Sequence, residues 1–335
     1  MSLELYPVKF INREVELKEL QKFAERGVVI PLYIYGPEGC GKTRLLREFV
    51  KRAHGIAIYI DALERKKIDK ALLTNEVLGE VKTFFKEFIK ETHVPLGTYL
   101  ANKIFTLLER IHIKVTIKGK PLIVAVDDVV QALGLDEIER YIKWLYELIG
   151  KVYDEYNPSS VLIIATTSEG LSLHRISRHT YTEPRLLWNL NHDAFIELSS
   201  ELKSPNSKIT DEVWRFTAGN PRALISIAYM YEWNIKSWLE HLKERLRPII
   251  SEIKQQGLDK ELRYLLEDPD SPWSKTSEGM LCLYNLLIEN NLFMYTGYKT
   301  LANTRLKPEP ELGIGKYYAW QLPAYRYVLE ELLKR

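Results

Sequence analysis

The sequence predicts an α/β protein: a doubly wound, mostly parallel sheet flanked by helices, followed by helical and mixed segments. Three observations carry this expectation. Four apolar runs, VVIPLYIY (28–35), IAIYI (56–60), LIVAVDD (122–128) and VLIIATT (161–167), alternate with helix-period stretches. Runs this apolar suit strands buried on both faces, and strand–helix–strand repeats make parallel pairs. The first run leads through a glycine-rich turn, GPEGCGKT (36–43), into a helical pattern, and after Asn191 strand signals give way to consecutive helices.

Taken in order, residues 12–26 place Leu17, Leu20 and Ala24 on one helical face, with Asn12 the expected N-cap and Gly27 the stop. Pro31 puts the start of the first ladder near Leu32. The helix KTRLLREFVKRAH follows the glycine-rich turn and leads to the second strand. Residues 69–117 read as mostly helical with a break at Pro95 and Gly97, and Gly119 and Pro121 return the chain to the third strand. A turn at Val129 to Gln131 and a helix over 136–156 precede the fourth strand, and RLLWNLN (185–191) is a candidate short fifth. Residues 193–266 read as helices, and 275–335 as helix, short hairpin and terminal helix. The expected units are 1–190, 191–267 and 268–335.

Composition bounds the function classes. The chain has 335 residues, 46% of them hydrophobic, with two cysteines and 47 basic against 45 acidic side chains, a net charge of +2. That balance gives no overall electrostatic mandate for nucleic acid, and Cys40 and Cys282 are too few for a disulfide framework. The opening MSLELYPVKF has Glu4 and no basic-then-apolar pattern, and no apolar run approaches a membrane span, so a cytoplasmic protein without a membrane partner is expected. The histidines show no metal-binding spacing, and the 20 tyrosines, spread along helices and strands, suit packing.

GPEGCGKT matches G-x-x-x-x-G-K-[ST] between a strand and a helix, the context a phosphate loop requires. Its glycines let backbone N–H groups turn around a polyphosphate, and the helix adds its unpaired donors and positive dipole end. Gly36, Pro37, Glu38, Gly39, Cys40, Gly41, Lys42, Thr43 and Arg44 are therefore the candidate nucleotide contacts. Lys42 would reach the β- and γ-phosphates, and the Thr43 hydroxyl would ligate Mg²⁺. Cys40 reads as a small residue tolerated at a variable loop position. At the end of the third strand, Asp127 fits the metal's water shell and Asp128 the attacking water. Thr166, Thr167 and Ser168 end the fourth strand, and Thr166 is the candidate for the γ-phosphate side. Of Arg175, Arg178 and Arg185, any one would neutralise transition-state charge in cis or across a subunit contact, and Arg178 is the chosen candidate.

With these motifs in place, the chain resembles the archaeal ATPase family within the STAND and AAA+ types of P-loop NTPase. KFINREVELKEL, through Phe10, Arg13, Glu14, Glu16, Leu17 and Leu20, is similar to the family's segment ahead of the first strand, which implies that Arg13 lies near the adenine. WRFTAGNPRAL carries Gly219, Asn220 and Pro221, which resemble the G-x-P motif of a helical lid and imply that Pro221 sits against the base or sugar. Read without the family, the same residues are a helix-breaking turn. The carboxyl-terminal part resembles a winged helix. Asp128 stands where many AAA+ ATPases have Glu, and Ser168 where relatives often have Arg.

The resemblance implies ATP or ADP with Mg²⁺ as cofactors and an ATP-driven conformational switch with ATPase activity, slow without a partner. The alternative is an ATP-loaded protein similar to origin-recognition initiators, binding double-stranded DNA through a winged helix with Lys299, Arg305 and Lys307 near the wing. A protein partner on the same unit and a homo-oligomer are further expectations. A small-molecule kinase is disfavoured by the length of chain after the last strand.

Overall fold

The computed structural model describes residues 8–64, 67, 71–75, 104–114, 117–167 and 170–334. Ser168, Pro95, Gly97 and most of the expected helical run 69–117 lie outside the described residues.

A six-stranded sheet has the order β3-β2-β4-β5-β1-β6, formed by β1 (Leu32–Tyr35), β2 (Ile56–Asp61), β3 (Leu72–Thr74), β4 (Pro121–Asp127), β5 (Ser160–Thr167) and β6 (Glu183–Leu186). All neighbours are parallel except β3, which runs antiparallel to β2. The order places β5 between the strand that feeds the glycine-rich loop and the strand that ends in the two aspartates. The loop, Asp127 and Asp128, and Thr166 therefore all gather at the strands' carboxyl ends, where ligands of open α/β sheets sit.

Strict alternation explains the sheet's burial on both faces. Leu32, Ile34, Ala57, Ile123, Ala125, Leu162 and Ile164 face one way, onto Leu20, Phe23 and Ala24 of α1 (Glu14–Arg26) and Leu45, Leu46 and Phe49 of α2 (Lys42–Arg52). Their neighbours Tyr33, Ile58, Val124 and Ile163 face the other, onto α3 (Ile104–Lys114), α4 (Val129–Leu133) and α5 (Leu135–Tyr156). The short α6 (Gly170–Ile176) follows β5.

Four sequence expectations are corrected. Asn12 is not the N-cap of α1: it lies in the left-handed region with φ 55°, and its side chain accepts the N–H of Arg13, itself at φ 92°. Within 69–117 the described Leu72–Thr74 is an edge strand, too short to show a period of its own. The fifth strand runs over Glu183–Leu186, not 185–191, because Pro184 is tolerated at a sheet edge and the chain leaves the ladder after Leu187 donates to Tyr35 O. The expected turn at Val129 is the short helix α4.

Beyond the sheet come α7 (His192–Glu201), α8 (Ser207–Thr217), α9 (Pro221–Met230), α10 (Ile235–Gln255), α11 (Asp259–Glu267), α12 (Ser271–Ser274), α13 (Glu278–Glu289) and α14 (Pro323–Leu333). Between α13 and α14, β7 (Phe293–Tyr295) pairs antiparallel with β8 (Tyr318–Trp320). The expected hairpin thus closes a long loop, not a tight turn. One buried cluster draws on Leu190, Phe195, Trp238, Leu283, Trp320 and Leu333, so the helical segment and the carboxyl-terminal elements share a core. The long loop also docks on the sheet: Leu186 donates to Lys299 O at 3.0 Å, and Leu301 donates to Leu186 O at 2.8 Å. No helix among the described residues is long and apolar enough to cross a membrane.

Candidate functional site

The loop is shaped by its glycines. Gly39 and Gly41 have φ of 81° and 104°, which an L side chain rarely adopts. Gly36 lies so close to the chain leaving β6 that a Cβ there would stand 2.0 Å from Leu187 O. Lys42, at the start of α2, folds its ammonium back onto the loop, donating to Gly36 O at 2.9 Å and Pro37 O at 3.1 Å, with Cys40 Sγ at 3.8 Å. Cys40 is buried, whereas Thr43 and Arg44 are exposed, and Arg44 donates to Val8 O at 3.0 Å.

Arg13 braces this loop from behind. Its buried guanidinium donates to Cys40 O at 3.0 Å and Trp188 O at 2.7 Å and pairs with Glu16 at 2.7 Å. The chain entering α1 is thereby tied both to the loop and to the segment leaving the sheet. Replacing Arg13 with Ala strands two carbonyls and a carboxylate together, and the expected cost is about 2–4 kcal/mol, read as a lower unfolding midpoint. An unchanged midpoint would remove Arg13 from the loop's support.

The acidic edge lies on β4 and its neighbours. Asp127 is 1% exposed, and its carboxylate accepts hydrogen bonds from the Tyr59 hydroxyl at 2.8 Å and from the Thr166 hydroxyl. Thr166 also accepts the backbone N–H of Asp128 at 3.1 Å, so one hydroxyl ties the two aspartates together. Asp128 itself sits in the left-handed region, φ 53°, at the head of α4. Burial first, and then the Asp127 charge, push its carboxyl up to about 7, while Lys42 and Arg222 pull the other way. A carboxyl poised near neutrality suits a general base. Asp61, the register partner of Asp127, is also raised, by burial and then by Asp127, and pairs with Arg47 at 3.7 Å. Burial, then Asp127, raises the Tyr59 phenol well above its usual range. Thr167 accepts the Ser172 hydroxyl at 3.1 Å.

The three candidate arginines go elsewhere. Arg175 binds Leu135 O at 3.1 Å and Asp136 at 3.0 Å, Arg178 lies exposed with its guanidinium 3.3 Å from His174 Nδ1, and Arg185 pairs with Glu183 at 2.8 Å. Among the described residues no hydrogen bond or ion pair joins any of the three to the loop. Arg222, which the sequence reading passed over, does reach it. It stands one residue after Pro221, the first residue of α9, and pairs with Glu38 Oε1 at 2.5 Å. The signal was available in its place directly behind the G-x-P residues.

Around Arg222, Asn220 caps α9 by accepting Ala223 N–H at 3.1 Å, and its Nδ2 donates to Glu38 O at 2.9 Å and Asn189 Oδ1 at 3.0 Å. Gly219 must lack a Cβ, which would stand 2.1 Å from Leu190 O. From the far end of the chain, Gln321 accepts the Glu38 N–H at 2.9 Å. The N–H, carbonyl and carboxylate of one loop residue are thus each held by a different side chain. Nothing local in the sequence signals Gln321.

The groups at the site that could face a cation are oxygens, and those that could face an anion are backbone N–H groups, the Lys42 ammonium and the Arg222 guanidinium. The glycine cradle suits a polyphosphate, and the Thr43 hydroxyl with the strand-end carboxylates suits a hard cation. Among the described residues no group of three or more His, Cys, Asp or Glu is placed to hold a metal ion.

A family model described as an ATPase domain predominantly from Archaea matches residues 10–227. Similar curated proteins include an uncharacterized ATP-binding protein of Pyrococcus abyssi, 28% identical over 285 residues that cover 76% of this chain and 81% of that protein. Another, from Methanocaldococcus jannaschii, is 22% identical over 297 residues, 78% of each. Among solved structures, the Aeropyrum pernix ORC2 protein in ADPNP and ADP complexes aligns with 98% of this chain and 96% of its own at 12% identity and TM-score 0.43. The FIGL-1 AAA domain aligns with 67% of this chain and 75% of its own at 13% identity and TM-score 0.38.

Proposed function

The chain belongs to the family of ATPase domains found predominantly in Archaea, and from that premise we propose that it binds ATP and, with Mg²⁺, hydrolyses it to drive a conformational switch. In this reading residues 1–190 form the ATPase unit, 191–267 the lid and 268–335 a winged-helix-like unit. Lys42 exchanges the Gly36 and Pro37 carbonyls for the β- and γ-phosphates, Asp128 orients and deprotonates the water, and Arg222 neutralises charge from the lid side. Mg²⁺ would be held by Thr43 and, through its water shell, by Asp127, and would supply charge neutralisation between the phosphates.

The grip on Glu38 carries the switch reading. Asn220 and Arg222 come from the expected lid and Gln321 from the expected carboxyl-terminal unit, so a phosphate that reorganises the loop acts on both at once. Hydrogen exchange tests this directly. Mg²⁺ and ATP are expected to alter amide protection in 218–224 and in 318–323, and ATP that binds without changing either segment overturns the switch. Phosphate release measured alongside tests hydrolysis: bound ATP that is never turned over reduces the protein to a loaded state.

The second reading, an ATP-loaded duplex-DNA binder, rests on the exposed side chains of Lys299, Arg305 and Lys307. Its signature is DNA affinity that falls steeply with salt. Arg178, exposed just beyond α6 with its guanidinium 3.3 Å from His174 Nδ1, fits a role across a homo-oligomer contact.

A further inference from the structure

Tyr59 lies in the middle of β2, among isoleucines, with its ring fully buried. A phenol so placed needs a partner for its hydroxyl, and it finds one across the sheet in Asp127 Oδ2 at 2.8 Å. Arg47 also touches the phenol. Arg47 sits four residues after Thr43 on α2, hence on the same helix face, and its guanidinium lies 4.9 Å from the Tyr59 ring centroid and 3.7 Å from Asp61 Oδ2. A continuous path therefore runs from the helix that opens at the loop, through Arg47 and Tyr59, to the carboxylate at the end of β4.

A carboxylate turns about a broad, soft torsion, while Mg²⁺ demands near-ideal octahedral geometry of its water shell. Partners outside the shell settle which way such a ligand points. Thr166 restrains one oxygen of Asp127 and the Tyr59 hydroxyl the other. We propose that Tyr59, held in place by Arg47, is a positioning residue for Mg²⁺, orienting Asp127 so that the metal strengthens ATP binding. The proposal rests on the reading of Asp127 as the holder of the metal's water shell.

The test is equilibrium ATP binding to the full chain, measured with Mg²⁺ and again with EDTA, the ratio of the two affinities being the readout. Tyr59→Phe is expected to cut that ratio about 10-fold, the low end for loss of an outer-shell partner, with EDTA affinity close to wild type and a somewhat lower melting midpoint from the lost bond to a buried carboxylate. Arg47→Met, which takes away the guanidinium and leaves the hydroxyl, is expected to lower the ratio by about 3-fold. Asp127→Asn is the reference and should lose the metal's gain altogether. If it does so while Tyr59→Phe keeps the wild-type ratio, the positioning role is wrong. If Asp127→Asn keeps the ratio, the metal reading beneath the proposal fails, and the proposal with it. Should Tyr59→Phe not fold, an unaltered ratio in Arg47→Met overturns the proposal.

Discussion

Lys42→Ala is expected to lower Mg²⁺-dependent phosphate release at least ~100-fold and to weaken ATP binding at least ~10-fold. Lys42 is the cation at the mouth of α2, where the helix already favours anions, and its ammonium is buried against the loop's own carbonyls. Those bonds show that the side chain reaches back over the loop, so moving the charge onto a phosphate needs a short excursion and no refolding. Removing it deletes a charge-assisted contact that strengthens as negative charge shifts in the transition state. Phosphate release and ATP titration on the purified variant, with a melt to check folding, decide the matter. Turnover within a few-fold of wild type would mean that the loop is not the phosphate cradle.

Asp128→Asn should separate binding from turnover and, unusually for a site residue, stabilise the fold. With ATP affinity retained, hydrolysis is expected to fall at least ~10-fold, because Asn can hold the water but cannot take its proton. The stability effect follows from the raised carboxyl. Burial and the Asp127 charge push it up to about 7 in the folded protein, from the ordinary carboxyl value of 3.8. Below pH 4 the residue is protonated in both folded and unfolded chains and costs nothing. Between about 4 and 7 the unfolded chain has released a proton that the folded one still binds, so wild-type stability declines as pH rises, and above 7 the full cost is present. Asn never titrates. Its advantage should be small at pH 4 and largest at pH 8, with an upper bound of about 4 kcal/mol from three units of displacement. Melts of both proteins across that range give the answer: an advantage that shrinks with rising pH would contradict the burial and repulsion assigned to Asp128. The wild-type kcat/KM should also rise with pH, with a midpoint near 7.

The sequence made the central sheet and its loaded end readable because doubly buried strands have no polar positions to blur them. IAIYI and VLIIATT cannot be anything amphipathic, and β1 begins at Leu32 where Pro31 permits. The loop, Asp127, Asp128 and Thr166 were legible for the same reason, each lying at the end of such a run. What escaped had no local pattern. β3 has three residues, β6 carries a proline that only an edge forgives, and Asn12 looked like a cap until its side chain served the next residue instead. Arg222 and Gln321 meet Glu38 across 184 and 283 residues, distances at which no periodicity speaks. Tyr59 read as one more strand aromatic. Its role lies in a contact with the neighbouring strand that composition cannot register.

The seating of Lys299 to Leu301 on β6 also bears on how the protein behaves in a crowd. A strand at the rim of a sheet offers unpaired amides and carbonyls to any other chain, and here Leu186 spends both its N–H and its carbonyl on the carboxyl-terminal loop. The cover is held by the two backbone bonds at Leu186, by Arg185 donating to Asn303 Oδ1 at 3.1 Å, by Leu301 packed among the sheet residues and by Tyr298 edge-on to Tyr35. Any rearrangement that carries that loop away bares an adhesive border. Opening the molecule would then do more than reposition its parts: it would turn a self-contained chain into one with a free template for strand addition.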